Sequence, residues 1–184
     1  MPDDLARLLA EGEAPVFIGF GSMVGLATPS ADLDETTRLM TESVKRAGCR
    51  AIVQSNWNEV TAMPEDARVY RLISGPHTQL FPRCAAVVHH GGAGTTQTAL
   101  RCGRPSVVVA HVTDQFFWGG KLRQLGVAPA VIDRRKATPA NLAAAIRRVL
   151  CTPAMRSTAE ELGRKLQAEN GVAEAVRIVE RRFG

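Results

Sequence analysis

The chain has 184 residues, of which 45% are hydrophobic and 22% charged, and its formal net charge is +5. That is enough apolar material for the full core of one domain, or of one half of a two-domain protein, and it excludes a disordered chain. A mild positive balance suits an anionic ligand. The basic residues are scattered, and the densest group (Arg134, Arg135, Lys136) has no interleaved aromatics, which argues against nucleic acid.

In chain order, DDLARLLAEG (3–12) predicts a short helix closed by Gly12, and PVFIGF (15–20) a buried strand. SMVGLATPSA (22–31) reads as a loop. DLDETTRLMTESVKRAG (32–48) sets Leu33, Thr37, Met40, Val44 and Ala47 on one helical face, with Gly48 as the stop. RAIVQ (50–54) and RVYRLI (68–73) predict strands, and TQLFPRC (78–84) a single helical turn. AAVVHH (85–90) is a strand, TTQTALRCG (95–103) a helix, PSVVVA (105–110) a strand and DQFFWGGKLRQLG (114–126) a helix. APAVID (128–133) is a last short strand, and three helices close the chain.

Short, continuously apolar strands thus alternate with amphipathic helices. This predicts an α/β fold, a doubly wound, Rossmann-like parallel sheet of about six strands covered on both faces. Such sheets bind ligands at the carboxyl ends of their strands, so the loops after Phe20, Gln54, Ile73, His90 and Ala110 are candidates.

Cys49, Cys84, Cys102 and Cys151 form no C-x-x-C pair and lie in or beside apolar stretches, as expected of buried, reduced thiols in a cytoplasmic protein. Asp3, Asp4 and Glu11 precede the first apolar run, unlike a signal peptide, and the apolar runs are too short to span a bilayer.

Two loops are rich in glycine. IGFGSMVG, with Gly19, Gly21 and Gly25, approaches a dinucleotide fingerprint; HHGGAGTT follows the fourth strand. Both can cradle phosphate through backbone N–H groups. A nicotinamide or flavin site fits poorly. The helix after the first loop starts only near Asp32, and the next strand ends in Gln54-Ser55 where an acidic ribose ligand is expected. A plain tight turn at Gly19 and Gly21 is the simplest alternative. In the second loop Gly91, Gly92 and Gly94 let an anion approach the backbone, and Thr95 and Thr96 add donors at a helix start. His90, nearer the turn, is read as a phosphate donor; His89 is read as a core histidine satisfied by backbone.

Together PVFIGFGSM, GPHTQLFPRCAAVVHHGGAGTT, ALRCGRPSVVV and TDQFFWGGKLRQLGVAP resemble the C-terminal, donor-binding domain of family 1 GT-B glycosyltransferases, from about residue 3 to the end. DQFFWG resembles the sterol and lipid glucosyltransferase branch more than the glycopeptide branch. The resemblance implies one half of a GT-B fold that binds a UDP- or TDP-linked sugar. It implies an inverting, metal-independent hexosyltransferase acting on a lipid, sterol or small natural product; a lipid acceptor would add peripheral contact with a membrane. By the same resemblance, the diphosphate falls to Gly21, Ser22, His90, Gly92, Ala93, Gly94 and Thr95. The base falls to the turn of Ser74, Gly75, Pro76 and His77, and the sugar hydroxyls to Asp114 and Gln115. Asp114 could instead merely cap its helix.

The chain departs from the family at Ser74, where plant members stack the base on tryptophan, and at Thr98, where they carry a ribose-binding glutamate. Trp57 could line the base side or pack the sheet edge. Asp32-Leu33-Asp34 imitates a metal-binding D-x-D but reads as an acidic helix start, so neither a metal nor another cofactor is expected. The acceptor pocket and catalytic base of the family sit on an N-terminal domain, which this sequence is expected to lack. No catalytic residue is therefore assigned: His111, the nearest candidate, more plausibly lines the donor side or packs its turn. The alternatives are one subunit of a split enzyme, or a nucleotide-sugar binding module without transfer activity.

Overall fold

The computed structural model describes residues 2–21, 30–55, 66 and 68–183. Six parallel strands form one sheet: β1 (Val16–Gly19), β2 (Ala51–Gln54), β3 (Val69–Leu72), β4 (Ala86–His89), β5 (Ser106–Ala110) and β6 (Val131–Asp133). Their order is β3-β2-β1-β4-β5-β6. Eight α-helices are described: α1 (Asp3–Ala10), α2 (Ser30–Ala47), α3 (His77–Leu80), α4 (Ala93–Arg101), α5 (Thr113–Gln124), α6 (Pro139–Leu150), α7 (Pro153–Ala168) and α8 (Gly171–Phe183).

The strands read as continuously apolar because alternate side chains enter two different cores. Val16, Ile18, Val53, Val88 and Val109 meet Leu39, Met40 and Val44 of α2 and Leu142 and Ile146 of α6 on one face. Phe17, Ile52 and Val87 meet Leu5 of α1, Phe81 and Ala99 of α4 on the other. Val108 and Ala110 continue that second face beneath Leu122 of α5 and Ala159 of α7. Each fully buried aliphatic side chain contributes roughly 1.5–3 kcal/mol, and removal of both faces from water is what makes the central strands unambiguous.

The expected α/β fold and its six-stranded parallel sheet are therefore present. The expected helical face of α2 is buried, with Leu33, Thr37, Met40 and Val44 all nearly inaccessible. α2 starts at Ser30, two residues before the expected start, so Asp32 and Asp34 lie in its first turns. Arg134 bonds Thr36 at 3.0 Å and pairs with Glu35, while Arg135 pairs with Asp133 at 2.7 Å, so two of the three clustered basic residues serve local structure.

All four cysteines are free, but only Cys84 is buried; Cys151 is exposed at the end of α6, where the expectation of uniformly buried thiols fails. α8 buries none of its residues and exposes Val172, Val176, Val179 and Phe183 along one stripe. Among the described residues no helix is long and apolar enough to cross a membrane.

Candidate functional site

The strand order reverses between β1 and β4, which are neighbours although their connections leave in opposite directions. A crevice opens at such a switch point, outside the strand carboxyl ends. The register pairs Gly19 with His89, so Phe20 and Gly21 leave the sheet beside His90 and Gly91.

His90 fills that crevice. Its residue surface is 9% exposed, and its Nδ1 has no partner among the described residues. A Cβ at Gly21 would lie 2.9 Å from the imidazole Cε1, and one at Gly92 only 2.3 Å from Nε2. These two glycines therefore make room for the histidine itself, beyond the phosphate cradle or tight turn expected at Gly21 and the anion approach expected at Gly92. Burial lowers the His90 pKa, partly opposed by the Asp114 carboxylate, so the ring is neutral at pH 7 and offers one N–H.

α4 begins at Ala93, two residues before the expected start. Its N-cap Gly92 supplies no side-chain cap. The first ladder bond runs from the Thr96 N–H to the Gly92 carbonyl at 2.9 Å, so the N–H groups of Ala93, Gly94 and Thr95 precede the ladder. Among the described residues, a Cβ at Gly94 would meet nothing within 4 Å. The two threonines diverge: Thr95 is partly exposed, whereas Thr96 is 1% exposed and its Oγ1 is buried without a partner. Only Thr95 is placed as a surface donor.

His89 is fully buried, as expected, but only half satisfied. Its Nδ1 accepts the Gly91 N–H at 3.1 Å, while Nε2 has no partner among the described residues. Burial first, then the neighbouring His90 and His77, pushes its pKa down to about 3. The native ring thus stays neutral while the unfolded chain, titrating near 6.5, binds a proton. Stability is complete above the unfolded value and is lost as pH falls from about 6.5 toward 3. Between pH 7 and 4.5 this group is expected to remove about 2–3 kcal/mol. Denaturant titrations at both pH values check it: His89→Gln should reduce the difference by about that amount.

On the base side, Ser74 is exposed and Gly75 partly so. His77 starts α3 with Nε2 2.9 Å from Gln54 Oε1, its ring stacked on Phe81 at 4.7 Å and edge-on to Phe17. Gln54, passed over in the sequence as the wrong residue for ribose, holds this histidine. Thr98 turns its hydroxyl back to the Gly94 carbonyl at 2.8 Å.

On the sugar side the DQ pair separates. Asp114 is exposed, whereas Gln115 is 3% exposed and its Oε1 accepts the N–H groups of His111 and Val112 at 2.7 and 3.3 Å. The cap considered for Asp114 is thus made by Gln115, which closes the strand-to-helix turn. His111 places Nδ1 3.0 Å from the Val109 carbonyl and its ring edge-on to Phe20, so it packs the turn. Ser22, Gly25 and Trp57 lie outside the described residues. Among the described residues, no group of three or more His, Cys, Asp or Glu side chains could hold a metal.

Residues 33–181 match the family described as the erythromycin biosynthesis protein CIII-like C-terminal domain. The chain belongs to that family. As a CIII-like domain it is 40% identical over 178 residues to a sterol 3-beta-glucosyltransferase of Arabidopsis thaliana, covering 95% of this chain and 28% of the relative. It is 35% identical over 187 residues to that of Aspergillus oryzae, covering 97% of this chain and 13% of the relative. The glycosyltransferase VinC, solved with dTDP, superposes at a TM-score of 0.75 with 26% identity, covering 98% of this chain and 45% of that one. Os79 from O. sativa, solved with UDP and deoxynivalenol-3-glucoside, shares the fold at a TM-score of 0.81 with 15% identity, covering 98% of this chain and 45% of that one. The expected C-terminal half of a GT-B glycosyltransferase fold is thereby established, and the CIII-like domain spans about a quarter of the plant relative.

Proposed function

We propose that this CIII-like domain binds a UDP- or TDP-linked sugar as the donor half of an inverting, metal-independent glycosyltransferase with a lipid, sterol or small natural-product acceptor. The carrying observation is the His90 imidazole, wedged between the Gly21 and Gly92 turns at the switch point and followed by the uncapped start of α4. An imidazole N–H and helix-terminal N–H groups form a donor set for a diphosphate. The same donors stabilise the charge that develops on the departing nucleotide, the task a metal performs elsewhere. Ser74 and Gly75 border the base, and exposed Asp114 reaches sugar hydroxyls. The sterol glucosyltransferase relatives and the nucleotide complexes of the solved structures support this reading. The acceptor pocket and the base are proposed to lie on an N-terminal domain, which the α8 stripe and the exposed Phe116 and Phe117 leave apolar surface to meet.

Asp114 and Gln115 give the test. Asp114→Ala should weaken UDP-glucose binding by about tenfold, the worth of one charged hydrogen bond, and leave UDP binding nearly unchanged. Gln115→Ala should weaken both ligands, because it releases the turn that carries Asp114. Calorimetric titration of both variants decides: equal losses for the two ligands in Asp114→Ala would remove that residue from the sugar site.

A further inference from the structure

We propose that His89 is a positioning residue, whose Nδ1 holds the Gly91 N–H and so fixes the turn that aims His90 and the first N–H groups of α4. The inference rests on the donor-binding reading of that turn and concerns a residue that meets no ligand itself.

His89 ends β4 in register with Val108, and its ring is completely buried on the α4 face of the sheet. The bond from Gly91 N–H to Nδ1, at 3.1 Å, spans two residues. That is the geometry by which an asparagine Oδ1 closes an Asx turn. Gly91 stands at φ +93°, and a Cβ there would lie 2.9 Å from both the Gln115 carbonyl and Val108 Cγ1. The turn is thus gripped from two sides: the imidazole accepts its N–H, and α5 lies against its Cα. Gln115 in turn holds the N–H groups of His111 and Val112. One contiguous set of contacts therefore runs from His89 through Gly91 to the turn carrying Asp114.

A ring that accepts at Nδ1 carries its hydrogen on Nε2. That nitrogen is buried without a partner in the layer beneath α4, as is the Thr96 hydroxyl. Packing alone would be served better by an apolar side chain. Among the described residues, the one polar act of the ring is to accept from Gly91, and the proposed role rests on it.

The experiment uses variants isosteric with one ring nitrogen each. His89→Asn keeps an acceptor at the Nδ1 position; His89→Gln moves it to the Nε2 position. With folding verified by circular dichroism, UDP titration should find the Asn variant within roughly threefold of the wild type and the Gln variant weaker by about tenfold or more. Equal affinities, or rescue by Gln instead of Asn, overturn the proposal. Long-range proton–nitrogen NMR of the wild-type chain tests it without any variant: Nε2 should carry the hydrogen, and a protonated Nδ1 overturns it. A wild-type chain that binds no UDP overturns the donor reading itself, and this inference with it.

Discussion

Replacing Gly91 with alanine is expected to destabilise the domain by about 3 kcal/mol and to lower its melting temperature by roughly 6–12 °C. Two costs add. The backbone stands at φ +93°, where an L side chain is strained by about 1–2 kcal/mol. The new methyl would also sit 2.9 Å from the Gln115 carbonyl and from Val108 Cγ1. The carbonyl belongs to α5 and cannot yield without moving the helix, so an overpacking cost of about 1–3 kcal/mol follows. Gly94→Ala is the control: its Cβ meets nothing within 4 Å, and α4 gains helix propensity there. Thermal unfolding followed by circular dichroism distinguishes the pair, and a Gly91→Ala melting point within roughly 2 °C of the wild type would contradict the packing described.

The second large effect concerns catalysis. The 184-residue chain is expected to give no glycoside above blank from UDP-glucose with a sterol or a flavonoid. Joined to an acceptor-binding domain, it should give product. Holding donor and acceptor in place is worth effective molarities of about 10⁵–10⁸ M, and a positioned base adds about 10²–10⁴ in rate. Both are proposed to come from the acceptor-binding domain. His90 is assigned to the diphosphate, His89 is sealed in the core, His77 is stacked on Phe81, and His111 is bonded to the Val109 carbonyl. Chromatography of the reaction mixtures checks this. Robust transfer by the chain alone, abolished by His111→Ala, would show that the base lies at the end of β5.

The sheet was legible in the sequence because four of its strands (β1, β2, β4 and β5) run into two cores at once, and no helix reading suits four or five apolar residues between turns. Boundaries were less legible. α4 starts at Ala93, so Gly92 and Gly94, which read as loop, are its N-cap and its second residue. His90 was identifiable from its place at the strand end. The reason for Gly21 beside it was not, because the clash of a Cβ there with the imidazole exists only once β1 and β4 are paired. Gln115 shows the same limit. A glutamine three residues after a turn is a capping signal, but Val112 has no acceptor side chain to complete the box, and the DQ pattern drew attention to sugar instead. Gln54 and Phe81, which hold His77, became visible only in three dimensions.

The His90 crevice is proposed to take a pyrimidine nucleoside diphosphate. Calorimetric titration of the chain with UDP, TDP, GDP and NAD, repeated with His90→Ala, tests it most directly. The expected result is saturable binding of UDP or TDP, weakened by about 10–100-fold in the variant through loss of one hydrogen bond to a charged ligand. Binding of NAD with no binding of either pyrimidine nucleotide would contradict it.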